Sequence, residues 1–311
     1  MSDQVFRPAN EGLAQSAGGE FRAGSLIVVR CGPRALRTVW IMAQVTFLEA
    51  ARRKILWLAG IAGVAFLGLF WTALHSMLRS MAPNITPVAR LEGVRMMTMM
   101  VLYAGSMMTS LMAALISCDT LSGEIASGTI HAIATKPVHR WCLVLGKWIG
   151  FIAILALYVL LIEGGTIAIG WIEGRHATPH AGAALGLIGL QAVVLLGVTM
   201  LCSTRLSALT SGACSLGLYG IAFLGGWIEQ FGALRHVKAC VDLGILASLV
   251  MPSDALWRRV AMKVQPPIMG AAGIGPFSSS IVPDNAMVIY AVIYSLAAIV
   301  IAQIIFGRRD L

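Results

Sequence analysis

Charge is what this sequence has least of. Asp, Glu, Lys and Arg together make up 12% of the 311 residues, while 58% are hydrophobic; an average soluble domain is roughly a quarter charged. A chain so composed cannot cover itself with an ordinary water-facing surface, and it needs lipid. Other absences narrow the class further. The six cysteines, Cys31, Cys118, Cys142, Cys202, Cys214 and Cys240, include no CxxC pair, and four lie in or beside apolar runs, so neither a disulfide framework nor a metal site is read from them. Residues 1–23 are polar and rich in Gly, Ala and Ser, with no apolar stretch before Leu26, hence no signal-peptide core. No apolar run alternates with polar positions as the short strands of an outer-membrane barrel do. No GxxxxGK[ST] loop occurs: Gly146-Lys147 is followed by Trp148 and has no glycine five positions before Gly146, so phosphate is not cradled here. His75, His131, His139 and His176 fall near span ends or in loops, and no catalytic pair or HExxH accompanies them.

What the chain does have is apolar runs of about 20 residues, the length at which a helix crosses a hydrocarbon core of about 30 Å. Six are expected to span, at 55–74, 96–116, 148–171, 183–202, 208–228 and 287–306. The fold class read from this is an all-α integral membrane protein, with a tail over 1–38 and one transmembrane domain over 39–311. The segment from Val39 to Lys54 places Trp40, Val45 (or Ala43), Phe47 and Leu48 at helical spacing and ends in Arg52, Arg53 and Lys54, which reads as an amphipathic helix at a membrane surface or as a plain extension of the first span. The longest connection, 229–286, contains one short apolar patch from Leu243 to Val250 closed by Pro252; it is expected to be re-entrant or interfacial, with a seventh span as the alternative. Most Lys and Arg then fall on the side of the amino terminus, which places both termini in the cytoplasm, although Arg235, Lys238, Arg258, Arg259 and Lys263 lie in the long outer connection. The net charge of +9 is dispersed without basic-aromatic surfaces, so anionic lipid headgroups are the expected partner and nucleic acid is not.

The most informative stretch joins the second and third spans, SCDTLSGEIASGTIHAIATKPVHRWCLVLGKW, from Ser117 to Trp148. Ile125, Ile130 and Ile133 can form an apolar stripe, Gly123 and Gly128 allow tight bends, and Pro137 stops a helix begun near Glu124, so a short helix along the membrane face is expected; an ordinary loop is the bland alternative. The succession Glu124, Gly128-Thr129, Lys136-Pro137, Arg140, Gly146-Lys147 resembles the same region of type 2 ABC transporter permeases, especially the copper-enzyme maturation (nitrous oxide reductase maturation) branch. TFLEAARRKIL at Thr46–Leu56 and the ending FGRRDL resemble that branch too. The resemblance implies a permease subunit, an exporter, that is no enzyme by itself. It implies a coupling helix docked on a separate ATPase chain that carries ATP and Mg, and a second permease chain as a homo- or heterodimer in a bacterial plasma or inner membrane. It assigns coupling to Glu124, Gly128, Thr129, Pro137 and Arg140, and also to Glu49 and Arg53.

Within the spans, Glu163 is read as the one acidic residue well inside, with a transport-path or helix-packing role, or else with its carboxylate reaching the headgroup layer. Gln191 is read chiefly as an interhelical hydrogen bond. Gly182, Gly186, Gly217, Gly220, Gly225 and Gly226 permit close helix approach. The methionines from Met96 to Met112 invite a copper reading, but they fall on several helix faces without Cys or His, so adaptable packing is preferred. The rival functions are an ion-coupled secondary transporter and a membrane scaffold.

Overall fold

The computed structural model describes residues 33–81, 86–120, 140–175, 177–265 and 285–307. Among them every regular element is helical, and six helices are long and apolar enough to cross a membrane. Helix α1 runs Pro33–Ala51; α2 (Lys54–Ser80) and α3 (Pro87–Ser117) form the first two spans. The third span covers Trp141–Gly174 and is built of α4 (Arg140–Val159), a π turn (Leu160–Gly164) and α5 (Gly165–Gly174). The fourth and fifth are α6 (Ala181–Ser203) and α7 (Ala208–Arg235); two short helices, α8 (Lys238–Val250) and α9 (Ser253–Val264), precede the last span, α10 (Asn285–Gly307).

Local sequence sets the element ends. Thr86 opens α3 by accepting a hydrogen bond from the Ala89 amide, with Pro87 at the first helical position, where its missing N–H costs nothing. Ser207 does the same for α7 through the Thr210 amide. Several spans run past the expected bounds, α2 to Ser80 and α7 to Arg235, because helix persists beyond the most apolar window.

Helix α6 is the centre of the bundle. Ile188, Val194, Leu195, Leu196 and Met200 are buried on it, and α3, α4, α7, α9 and α10 all pack against it. The first span, by contrast, is peripheral and leaves Trp57, Leu58, Ile61, Val64 and Leu69 on the outside.

Lipid tails are as apolar as Leu, so helices here associate through close packing rather than through a hydrophobic drive. Gly146 and Gly150 show how. They lie four apart on one face of α4, and α1 rests directly on them: a Cβ at Gly146 would run into the Met42 Cβ and meet the Val39 carbonyl oxygen at 3.0 Å, and one at Gly150 would meet the Ala43 carbonyl oxygen at 2.8 Å. The buried side of α1 is accordingly Val39, Ala43, Thr46 and Ala50, small enough for backbone contact. Trp40, Val45 and Leu48 point away from the bundle, as an amphipathic helix lying in a membrane surface would place them.

The glycines expected to seat neighbours divide. Gly225 presses on Ala247 and Gly226 on Asp254, whereas a Cβ at Gly182, Gly186, Gly217 or Gly220 would meet nothing among the described residues. Helix α8 doubles back along the second half of α7, with Gly244 beside Glu229 and Ala247 beside Gly225, and α9 then leaves it at 104°. The Leu243–Val250 patch is therefore one limb of a bent pair that folds back into the bundle.

Gly150→Val should lower the stability of the detergent-solubilised protein by about 2–3 kcal/mol, because the new methyls cannot be seated against the α1 backbone. Gly186→Val, facing open space, should change it by less than about 0.5 kcal/mol; thermal unfolding of the two variants side by side measures the contrast.

Candidate functional site

Residues 121–139, with Glu124, Gly128, Thr129 and Pro137, lie outside the described residues, as does the side chain of Arg140, which begins α4. What is described is how both roots of this connection between the second and third spans, named the elbow by its place in the sequence, are held. The Lys147 ammonium on α4 donates to the Thr120 carbonyl at 3.1 Å, across the base of the elbow. Lys147 is 7% exposed, and its charge complements the unsatisfied carbonyls at the end of α3. The Ser211 hydroxyl of α7 donates to the Cys118 carbonyl at 3.0 Å. Glu49 and Arg53 stand at the α1–α2 junction, paired at 2.9 Å, and Arg53 reaches Asp119 at 3.7 Å. These last contacts are exposed and contribute little energy, but they place the junction beside the elbow. Backbone contact at Gly146 and Gly150 completes the assembly, so α1, the end of α3, the start of α4 and the start of α7 meet at one end of the bundle.

A family model described as ABC-2 family transporter protein matches residues 40–311. The chain belongs to the ABC-2 transporter family. No curated protein matches it. As an ABC-2 member it is a multi-pass membrane protein and a permease component of membrane transport. The matched stretch takes in α1 from Trp40, all six spans and the elbow together.

Inside the bundle of this permease, Glu163 sits on the π turn, 0% exposed, and neither carboxylate oxygen has a hydrogen-bond partner among the described residues. The space that it occupies is the missing side chain of Gly105 on α3, whose Cβ would come within 2.8 Å of Oε1. A π turn inserts one residue into a helix and is a frequent feature of functional sites, and here it turns the carboxyl inward. Gln191 donates from its amide nitrogen to the Ser110 hydroxyl at 3.0 Å, tying α6 to α3, and keeps its carbonyl oxygen free.

Sequence reasoning missed a third group and misplaced its members. Besides Glu163, well inside its span, a second acidic residue is buried near a span's end: α7 continues past Ile228 and carries Glu229 into the interior. Arg258, assigned to an outer connection, has its side chain 4% exposed between Glu229, 2.8 Å away, and Asp254, 3.0 Å away, and it also donates to the Ser248 hydroxyl at 3.1 Å. The available signal was the i, i+4 spacing of Asp254 and Arg258 just after the apolar patch and Pro252, which puts an acid and a base on one face of a short helix. Asp254 Oδ2 lies 3.0 Å from Arg258 Nε, so this carboxylate is held in a buried ion pair with the guanidinium.

Removing one partner of a buried pair leaves an uncompensated charge, which costs about 3–5 kcal/mol. Arg258→Met should therefore strip the folded protein from detergent extracts, while Arg258→Met combined with Glu229→Gln and Asp254→Asn should regain most of the loss; yield of monodisperse protein by size-exclusion chromatography reads both.

Proposed function

We propose that the chain is the membrane-spanning subunit of an ATP-driven exporter whose ATPase is a separate chain gripping the 121–139 elbow. The observation that carries this reading is the convergence at the elbow's roots. A soluble partner that moves the elbow pulls on α3 through Thr120 and on α4 through Lys147, with α1 riding on Gly146 and Gly150. Force entering one short segment is thereby delivered to the second and third spans together. Within the elbow, Glu124 acts as a helix-start anion, Gly128-Thr129 allow close approach of the partner, Pro137 ends the docking helix, and Arg140 meets a carboxylate or lipid phosphate. Glu49 and Arg53 flank the same contact from the α1–α2 junction.

In this reading the permease works as a homo- or heterodimer in a bacterial plasma or inner membrane, with both termini in the cytoplasm, and ATP and Mg sit on the partner. The copper-enzyme maturation branch is the relative that the elbow pattern favours. Glu163 and Gln191 serve the transport path or brace the packing of the spans.

The experiment is a mild-detergent purification of the tagged chain from its native membrane, with mass spectrometry of the soluble chains retained. A Walker-motif ATPase should accompany the wild type and should be lost with Glu124→Ala or Gly128→Trp, while membrane insertion is unchanged. Repeated recovery without an ATPase would refute the reading and favour a secondary transporter or scaffold.

A further inference from the structure

Where α9 begins, its first turn closes a small cavity against α3, α6 and α7. The free space is about 10 Å³, enough for the centre of one water-sized particle. One side is aromatic: Tyr103 and Trp257 have ring centroids 4.8 Å apart, with Phe223 6.4 Å from Tyr103. The other side is polar, formed by Ser106, Gln191, Tyr219, Ser253 and Asp254.

Several polar side chains that line this space keep hydrogen-bonding capacity unused among the described residues. Gln191 uses its NH2 group on Ser110, leaving Oε1, on a side chain 2% exposed, without a partner among the described residues. Ser106 has given its proton to the Tyr103 carbonyl at 2.8 Å and retains lone pairs. Asp254 Oδ2 is ion-paired with Arg258 Nε at 3.0 Å, and the Ser253 hydroxyl, 1% exposed, has no hydrogen-bond partner among the described residues. Charge agrees with this inventory. Glu229 and Asp254 are two buried carboxylates, and the cation paired with them among the described residues is Arg258 alone, so the triad carries one negative charge in excess. A net charge at such depth calls for compensation by a proton or a cation. Ring faces of Tyr and Trp attract cations as well, and this attraction strengthens where water is excluded.

We propose that this cavity is a binding site for a small monovalent cation, either an alkali ion of potassium size or the ammonium head of an amine. Carboxylate, amide and hydroxyl oxygens supply its first contacts, and Tyr103 and Trp257 cover it. A multivalent metal does not fit the set: no group of three or more His, Cys, Asp or Glu converges among the described residues. Ser253 and Asp254 sit immediately after the break of the bent α8–α9 pair while Gln191, Ser106 and Tyr219 sit on continuous spans, so the site joins that pair to the bundle. The site belongs to this chain alone and needs neither an ATPase nor a substrate to be occupied, so its fate is separate from that of the coupling reading.

The test is equilibrium dialysis of the full-length purified protein in detergent with radioactive rubidium and, separately, with radiolabelled methylammonium. Saturable binding near one cation per chain is expected for at least one probe; preference for rubidium identifies an alkali-ion site, and preference for methylammonium identifies an amine site. Asp254→Asn should weaken binding at least about tenfold, and Ser253→Ala, which removes a hydroxyl without a hydrogen-bond partner among the described residues, should weaken it about threefold in a protein of wild-type elution profile. Absence of saturable binding of both probes to the wild type would overturn the proposal and leave a shared proton as the compensating charge. Unchanged affinity in folded Ser253→Ala and Asp254→Asn would overturn it equally.

Discussion

Direct backbone contact between α1 and α4 is the interaction on which the described elbow end of the bundle depends. Between two helices in lipid there is no water to expel, so attraction comes from van der Waals contact and grows as the axes approach. Two glycines four apart remove the side chains that would hold α1 off, and Ala43 and Thr46 meet them from the other side. With α1 fixed in that groove, its apolar face of Trp40, Val45 and Leu48 is turned outward, and the α1–α2 junction arrives beside Asp119 at the elbow's root. A side chain of any size at Gly146 or Gly150 would tilt α1 away and carry Glu49 and Arg53 with it.

A second constraint acts at the other end, where the bundle accommodates charge. Helix α9 is polar by composition yet buried nearly all round, with Leu256, Trp257, Arg258 and Val260 inside. It is tolerable only because α7 brings Glu229 to the guanidinium and α8 brings Ser248. Replacing such a network with apolar side chains is often neutral or stabilising, so its presence argues for a role beyond holding the fold. Glu163, packed against Gly105 without a hydrogen-bond partner among the described residues, poses the same question one helix away.

Much of the fold was legible in the sequence because hydropathy is a property of single runs. Six runs of sufficient length are six helices in the structure, and the patch closed by Pro252 is a helix that bends sharply into another. What was not legible is pairing. Gly146-Lys147 belongs to the family-like pattern, but nothing in the sequence distinguishes the glycines that seat a neighbour, such as Gly150 and Gly225, from Gly186 or Gly217, where a Cβ would meet nothing among the described residues. Arg258 falls by sequence in the longest connection between apolar runs, and only the return of α8 along α7 brings it to Glu229. The elbow residues themselves were read by resemblance, and they lie outside the described part of the chain.

The most direct test of the account is hydrogen–deuterium exchange on the protein in lipid nanodiscs, following peptides from α1 and from residues 118–120. If α1 is seated on α4 and the seat holds the elbow's root, both regions are protected in the wild type, and Gly150→Val releases them together. Exchange of α1 in the wild type at the rate of a loose surface helix, or release of α1 with 118–120 still protected, would contradict it.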